Sequence, residues 1–156
     1  MQFAYLSESV TIKKVSETNT KGVFEVEGLY SGYGITVGNA LRRVLFSSLP
    51  GSAVTQFKIN GIQHQFSPIP KVLEDVVEIG LNLKKLRFRV HTDEPQILFL
   101  KVKGEKAVTA SDIEPNAQVD IISPGDHIAT LTDKSAELDM ELTVEKGLGF
   151  VPVEAR

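Results

Sequence analysis

The chain has 156 residues, 42% of them hydrophobic, which is enough to bury a core as one domain or two small ones. Its net charge of −3 argues against a domain whose main work is to hold nucleic-acid phosphates on a concentrated basic surface. No apolar run nears the roughly 20 residues that span a bilayer, the opening MQFAYLSESVTIKKVSE lacks the apolar centre of a secretory signal, and the absence of cysteine removes disulfides and thiolate metal sites, in keeping with a reducing cytoplasm.

The N-terminal residues read as a hairpin: SVTIKKV, a loop SETNTKG, then VFEVEGL. There follows SGYGITVGNALRRVLFSSLPG, Ser31 to Gly51, in which Gly32, Gly34 and Gly38 lead into a helix. This helix is predicted to start near an N-cap at Thr36 and to stop at Pro50-Gly51. At 100° per residue, Val37, Ala40, Leu41, Val44, Leu45 and Ser48 fall within one arc of about 140°, the core face. Phe46 lies about 180° away, flanked by Asn39, Arg42 and Arg43. A large aromatic there needs a cover, either from the same chain or from a partner protein.

After SAVTQFKIN, a strand with a turn at Asn60-Gly61, a second helix is predicted from about Lys71 to Leu83. Val72, Leu73, Val76, Ile79, Gly80 and Leu83 share one side of it, and Glu74, Glu78 and Asn82 the other. Gly80 costs such a helix about 1 kcal/mol relative to alanine, which close packing would explain. From there the period switches to two. Leu86, Phe88 and Val90 alternate with Arg87, Arg89 and His91; Leu98, Leu100 and Val102 share a face; so do Leu138, Met140, Leu142 and Val144. These are half-buried antiparallel strands, with TASDIEPNAQ and ISPGDH as loops between them. The class is α+β, with a change of character near Pro50.

The glycine turn invites a dinucleotide reading, but its spacing is G-x-G-x-x-x-G. The following strand reaches Asn60 without the acid that holds a ribose, and alternating strands do not suit a parallel sheet. No NAD, NADP or ATP binding is expected. Gly32 and Gly34 read instead as a tight turn into the helix, and Gly38 as a point of close packing. His64, His91 and His127 have no paired spacing and read as surface or loop histidines, with no metal site. Glu74 and Glu78, i and i+4, read as a solvated acidic face, and no G-x-S-x-G marks a nucleophile. A nucleic-acid-binding module would rest on Arg42, Arg43, Lys84, Lys85, Arg87 and Arg89.

Read together, GYGITVGNALRRVLFSSLPGSAVTQFKINGIQHQFS, LEDVVEIGLNLKKL, VTASDI, VDIISPGDHIATLTD and VEKGLGFVPVEAR resemble the N-terminal domain of the alpha subunit of bacterial-type DNA-directed RNA polymerase, from about Gly22 to the last residue. The chain departs from that pattern at Gly28, where the family usually has proline, at Lys71, where it usually has glycine, and at Gln65, a common glutamate.

The resemblance implies a discontinuous dimerisation domain, present in part as residues 1–50, and an inserted, mainly antiparallel β domain, present for the most part as residues 51–156. Family members continue with the rest of the insert, a second dimerisation helix and usually a tethered DNA-binding domain, so the chain reads as a fragment or a truncated gene product. The implied role is a non-catalytic scaffold without a cofactor. Its partners would be a second alpha subunit and the catalytic beta and beta-prime subunits, the magnesium-binding aspartates of the enzyme lying in another chain. DNA would be met only through the complex and no membrane would be involved, in a bacterial cytoplasm or a plastid. By the same resemblance Val37, Leu41, Val44, Leu45 and Ser48 line the dimer interface, Arg43 and Phe46 face beta, and Glu78 and Lys84 meet beta or beta-prime. With the second dimerisation helix missing, residues 51–156 are expected to hold the more independent core.

Overall fold

The computed structural model describes residues 10–152. The chain divides into two compact units between Ser48 and Leu49. In the first unit, β1 (Thr11–Glu17) and β2 (Gly22–Glu27) form an antiparallel hairpin, and α1 runs over Tyr33–Ser48. The hairpin loop is shorter than predicted: Thr18 N–H donates to Lys21 O at 2.7 Å, closing the turn over four residues.

Helix α1 begins three residues earlier than the predicted cap at Thr36. Gly32, at φ +82°, lets the chain reverse in a turn closed by Tyr33 N–H to Tyr30 O at 3.0 Å, and the helix propagates straight from it. Gly34 therefore lies inside the helix rather than in the turn.

The second unit contains β3 (Pro50–Ile59), α2 (Val76–Leu83), β4 (Phe88–Val90), β5 (Gln96–Lys103), β6 (Lys106–Thr109), a 3-10 turn at Ala110–Asp112, β7 (Val119–Ile121), β8 (His127–Leu131) and β9 (Glu137–Leu148). The strands make a three-stranded sheet in the order β3-β9-β5 and two ribbons, β4-β7 and β6-β8, and every pair is antiparallel. The α+β class follows.

Central β9 shows why the period-two pattern matters. Leu142 stands opposite both Phe57 and Leu98, and Met140 opposite both Ile59 and Leu100, so apolar rows cross the sheet on one face. Leu98, Leu100, Val102, Leu138, Met140, Leu142 and Val144 are all buried, each large side chain contributing about 1.5–3 kcal/mol by leaving water. The alternate positions face out and pair by charge, Lys103 with Glu137 at 3.0 Å and Lys101 with Asp139 at 4.0 Å. Among the described residues, every buried hydrophobic side chain lies between Ile59 and Val144.

The second helix is shorter than predicted, and residues 71–75 are a strap rather than its first turns. Lys71 has φ +63°, a left-handed conformation that favours glycine over a residue with a side chain, and it halts any helix there. Val72 forms an antiparallel bridge with Leu131, Leu73 N–H donates to Thr130 O at 3.0 Å, and Thr132 N–H donates to Lys71 O at 2.9 Å. Leu73, expected on the buried side, consequently faces solvent. Asp75 then caps α2, its Oδ1 accepting from Glu78 N–H at 2.7 Å.

Candidate assembly surfaces

Helix α1 buries none of its residues. On the predicted core face Val37 is half-buried, while Leu41, Val44 and Leu45 are 53–56% exposed and Ser48 is exposed. On the other face Phe46 is 80% exposed, and Arg43 is exposed beside it. Arg42 donates to Asn39 Oδ1 at 2.8 Å and Ser47 Oγ to the Arg43 carbonyl at 2.8 Å, so these polar groups are partnered along the helix itself. Among the described residues nothing lies within 4 Å of where a Cβ at Gly38 would stand, so they do not supply the close packing expected there.

Helix α2 has two faces as well. Val76, Ile79 and Leu83 point into the core, and Asn82 Nδ2 donates to Ile128 O at 3.1 Å, tying the helix to β8. Gly80 lies against the Phe57 ring, which an added Cβ would meet at 3.4 Å, so close packing does explain this glycine. The outer positions Val77 and Leu81, which periodicity did not single out, are 42% and 53% exposed. Glu78 sits in the exposed first turn and Lys84 at the exposed C-cap, about 120° apart around the helix axis. Neither side chain joins an ion pair among the described residues. An apolar helix with charges at its two ends and an uncovered outer side is suited to a protein partner.

Glu74 and Glu78 do not share an acidic face. Glu74 lies on the strap, and its carboxylate is enclosed: Oε2 accepts from Thr130 N–H at 2.6 Å, and Oε1 accepts from Thr130 Oγ1 at 3.0 Å and His127 Nε2 at 2.8 Å. The side chain is only 11% exposed. Burial works against the charge, but the hydrogen bonds from His127 and Thr130 outweigh it and hold the carboxyl below its ordinary range. His91 pairs with Asp120 at 2.9 Å and His64 with Ser67 at 3.1 Å, and both histidines are exposed.

The glycine turn has no nucleotide frame around it. β2 pairs with β1 and β3 with β9, both antiparallel and in separate sheets, so the strands flanking α1 make no parallel βαβ unit. Among the described residues no three His, Asp or Glu side chains come together as a metal site, and no helix is long and apolar enough to cross a membrane. Of the basic run, Lys85 Nζ donates to Asn82 Oδ1 at 3.1 Å and Arg87 to the Lys85 carbonyl at 2.6 Å, which turns both cations back onto the chain.

Residues 57–156 match the family described as the RNA polymerase Rpb3/RpoA insert domain. The chain is 55% identical over 140 residues to the DNA-directed RNA polymerase subunit alpha of Symbiobacterium thermophilum, covering 90% of this chain and 44% of that protein. It is 53% identical over 145 residues to the same subunit of Alkaliphilus oremlandii, covering 93% and 45%, and 53% identical over 147 residues to that of Lawsonia intracellularis, covering 94% and 42%. The chain spans less than half the length of these relatives. With an antiparallel β unit over the matched residues and subunit-alpha relatives along nine-tenths of its length, the chain belongs to the RNA polymerase Rpb3/RpoA insert-domain family.

Proposed function

We propose that the chain serves as a non-catalytic assembly scaffold within the alpha subunit of a DNA-directed RNA polymerase, working in the bacterial cytoplasm. Residues 1–50 supply the first segment of a dimerisation domain and residues 51–156 most of an insert that meets the catalytic subunits. The observation that carries this reading is α1, a 16-residue helix with two uncovered faces of different chemistry. Its aliphatic side, Val37, Leu41, Val44, Leu45 and Ser48, suits packing against a second copy, and its Arg43 and Phe46 side suits the beta subunit. Glu78 and Lys84 on α2 add a second contact with beta or beta-prime. Antiparallel pairing throughout the described strands weighs against an independent nucleotide-binding enzyme.

The test is Arg43→Ala in a full-length subunit carrying this sequence. Dimerisation should persist while capture of purified beta weakens by about 1.5–3 kcal/mol, the cost of a charge-assisted hydrogen bond at an interface. Equal loss of dimer and of beta capture would make the arginine structural, and failure of the unaltered subunit to capture beta or beta-prime would overturn the scaffold reading.

A further inference from the structure

The turn that leaves β3 carries the sequence Asn60-Gly61, and this asparagine is the one in the chain that a glycine follows. Ile62 N–H donates to Ile59 O at 3.3 Å, Gly61 has φ +81°, and Asn60 has no positive φ, which together make a type II turn. Both turn residues are exposed, and nothing lies within 4 Å of where a Cβ on Gly61 would stand. Among the described residues the Gly61 N–H donates to no acceptor. An asparagine amide followed by an unhindered, unengaged backbone nitrogen already has the atoms of a five-membered ring in sequence, and this is what makes asparagine thermolabile.

The surroundings of the side chain decide what ring closure does there. Asn60 N–H donates to Asp139 O at 2.9 Å and Asn60 Nδ2 donates to Asp139 Oδ2 at 3.0 Å, tying the end of β3 to β9. We propose that Asn60 is a site of spontaneous deamidation, which turns this tie into a repulsion. The Gly61 nitrogen loses its proton to solvent hydroxide and attacks Asn60 Cγ. The Cγ–Nδ2 bond breaks, and the amide nitrogen takes a proton from water and leaves as ammonia. The cyclic imide then takes up one water molecule and opens at either carbonyl, leaving aspartate or isoaspartate with no redox change. In the aspartate product a carboxylate replaces the donating amide opposite the Asp139 carboxylate, and Lys101, 4.0 Å from Asp139, offsets only part of the repulsion. In the isoaspartate product an extra backbone carbon enters the turn between Ile59, which is buried, and Ile62, which packs against the core.

The experiment ages the full chain in mildly alkaline buffer and maps its peptides by mass, with an isoaspartyl-specific carboxyl methyltransferase marking the rearranged product. Conversion at Asn60 should run roughly tenfold or more ahead of Asn116, which precedes alanine and whose Oδ1 accepts from Gln118 N–H at 2.8 Å. Asn60→Gln should abolish the early ammonia release, because the longer side chain closes a larger and slower-forming ring. Asn60→Asp, which makes one product directly, should lower the unfolding midpoint by about 1–4 °C, and by less in high salt. Conversion at Asn60 in the urea-unfolded chain but not in the folded one would overturn the proposal, by showing that the type II turn holds the amide out of reach of the Gly61 nitrogen. Early ammonia release that persists in Asn60→Gln would overturn it by placing the reaction elsewhere. A midpoint unchanged by Asn60→Asp at low salt would overturn the repulsion.

Discussion

Replacing Glu74 by alanine isolates the bond set that fastens the strap to β8. The substitution removes the acceptor for Thr130 N–H, Thr130 Oγ1 and His127 Nε2 at once. Hydrogen bonds to a charged group are worth about 1.5–3 kcal/mol each, and a part-buried N–H left without an acceptor costs about 1–3 kcal/mol. The terms do not add, because the three bonds share one carboxylate. His127 is 44% exposed, so solvent screens its share and the two Thr130 bonds carry most of the effect. We expect a loss of roughly 2–4 kcal/mol, read by urea unfolding at pH 7. Glu78→Ala, an exposed first-turn acid on α2, should cost no more than about 1 kcal/mol. Equal effects from the two substitutions would refute the idea that the enclosed carboxylate holds the strap.

The same contact sets a pH dependence. The Glu74 carboxyl is held below its unfolded value, so its contribution is complete above the ordinary carboxylate pKa of about 4.3 and disappears as pH falls through the folded value. The stability gap between the unaltered chain and Glu74→Ala should therefore be full at neutral pH and should narrow below about pH 4 by the part that the charge carries. A gap that widened on acidification would reverse the sign and sink the account.

Gly32 sits at φ +82° with open space around it, so Gly32→Ala should destabilise the first unit by about 1–2 kcal/mol through backbone strain alone, while Gly51→Ala, equally uncrowded and without a positive φ, should change the second unit by less than about 1 kcal/mol; hydrogen exchange of the two units separates them. Asp133 Oδ1 accepts from Ser135 Oγ at 2.5 Å, from Ser135 N–H at 2.7 Å and from Lys71 Nζ at 3.3 Å, and its carboxyl should titrate at about 2 by NMR, with Ser135→Ala moving it back toward the ordinary aspartate range. On the proposed dimer, Leu41→Asp should make a full-length subunit monomeric by light scattering while the unfolding of the β unit stays as it was. A dimer that survives would remove this face from the interface.

Much of the second unit was legible because its strands bury one face. Strict alternation in LRFRVHT, ILFLKVK and ELDMELTVE can satisfy a core only one way, since a one-residue slip would turn Leu98 or Leu142 into solvent. The strap was not legible, because what shapes it is remote: Glu74 is satisfied by Thr130, 56 residues away, and its i, i+4 spacing to Glu78 imitates a helix face. One local signal did exist. Asp75 followed three residues later by Glu78 is an N-terminal capping pattern, and it marks the true start of α2 better than apolar spacing does. Strands β6 to β8 fell within or beside segments read as loops, because three to five residues give too few alternations to set a period.

Helix α1 shows a different limit. Its wheel separates an aliphatic face from an Arg43 and Phe46 face, and the structure keeps both open. Four large aliphatic side chains, Val37, Leu41, Val44 and Leu45, gain on the order of 6–12 kcal/mol from burial, comparable to the stability of a whole small domain. A sequence can carry that requirement without carrying the surface that meets it. On the proposed scaffold reading, the surface that covers these residues lies outside these 156 residues, so the helix would be stabilised fully only when that surface is in place.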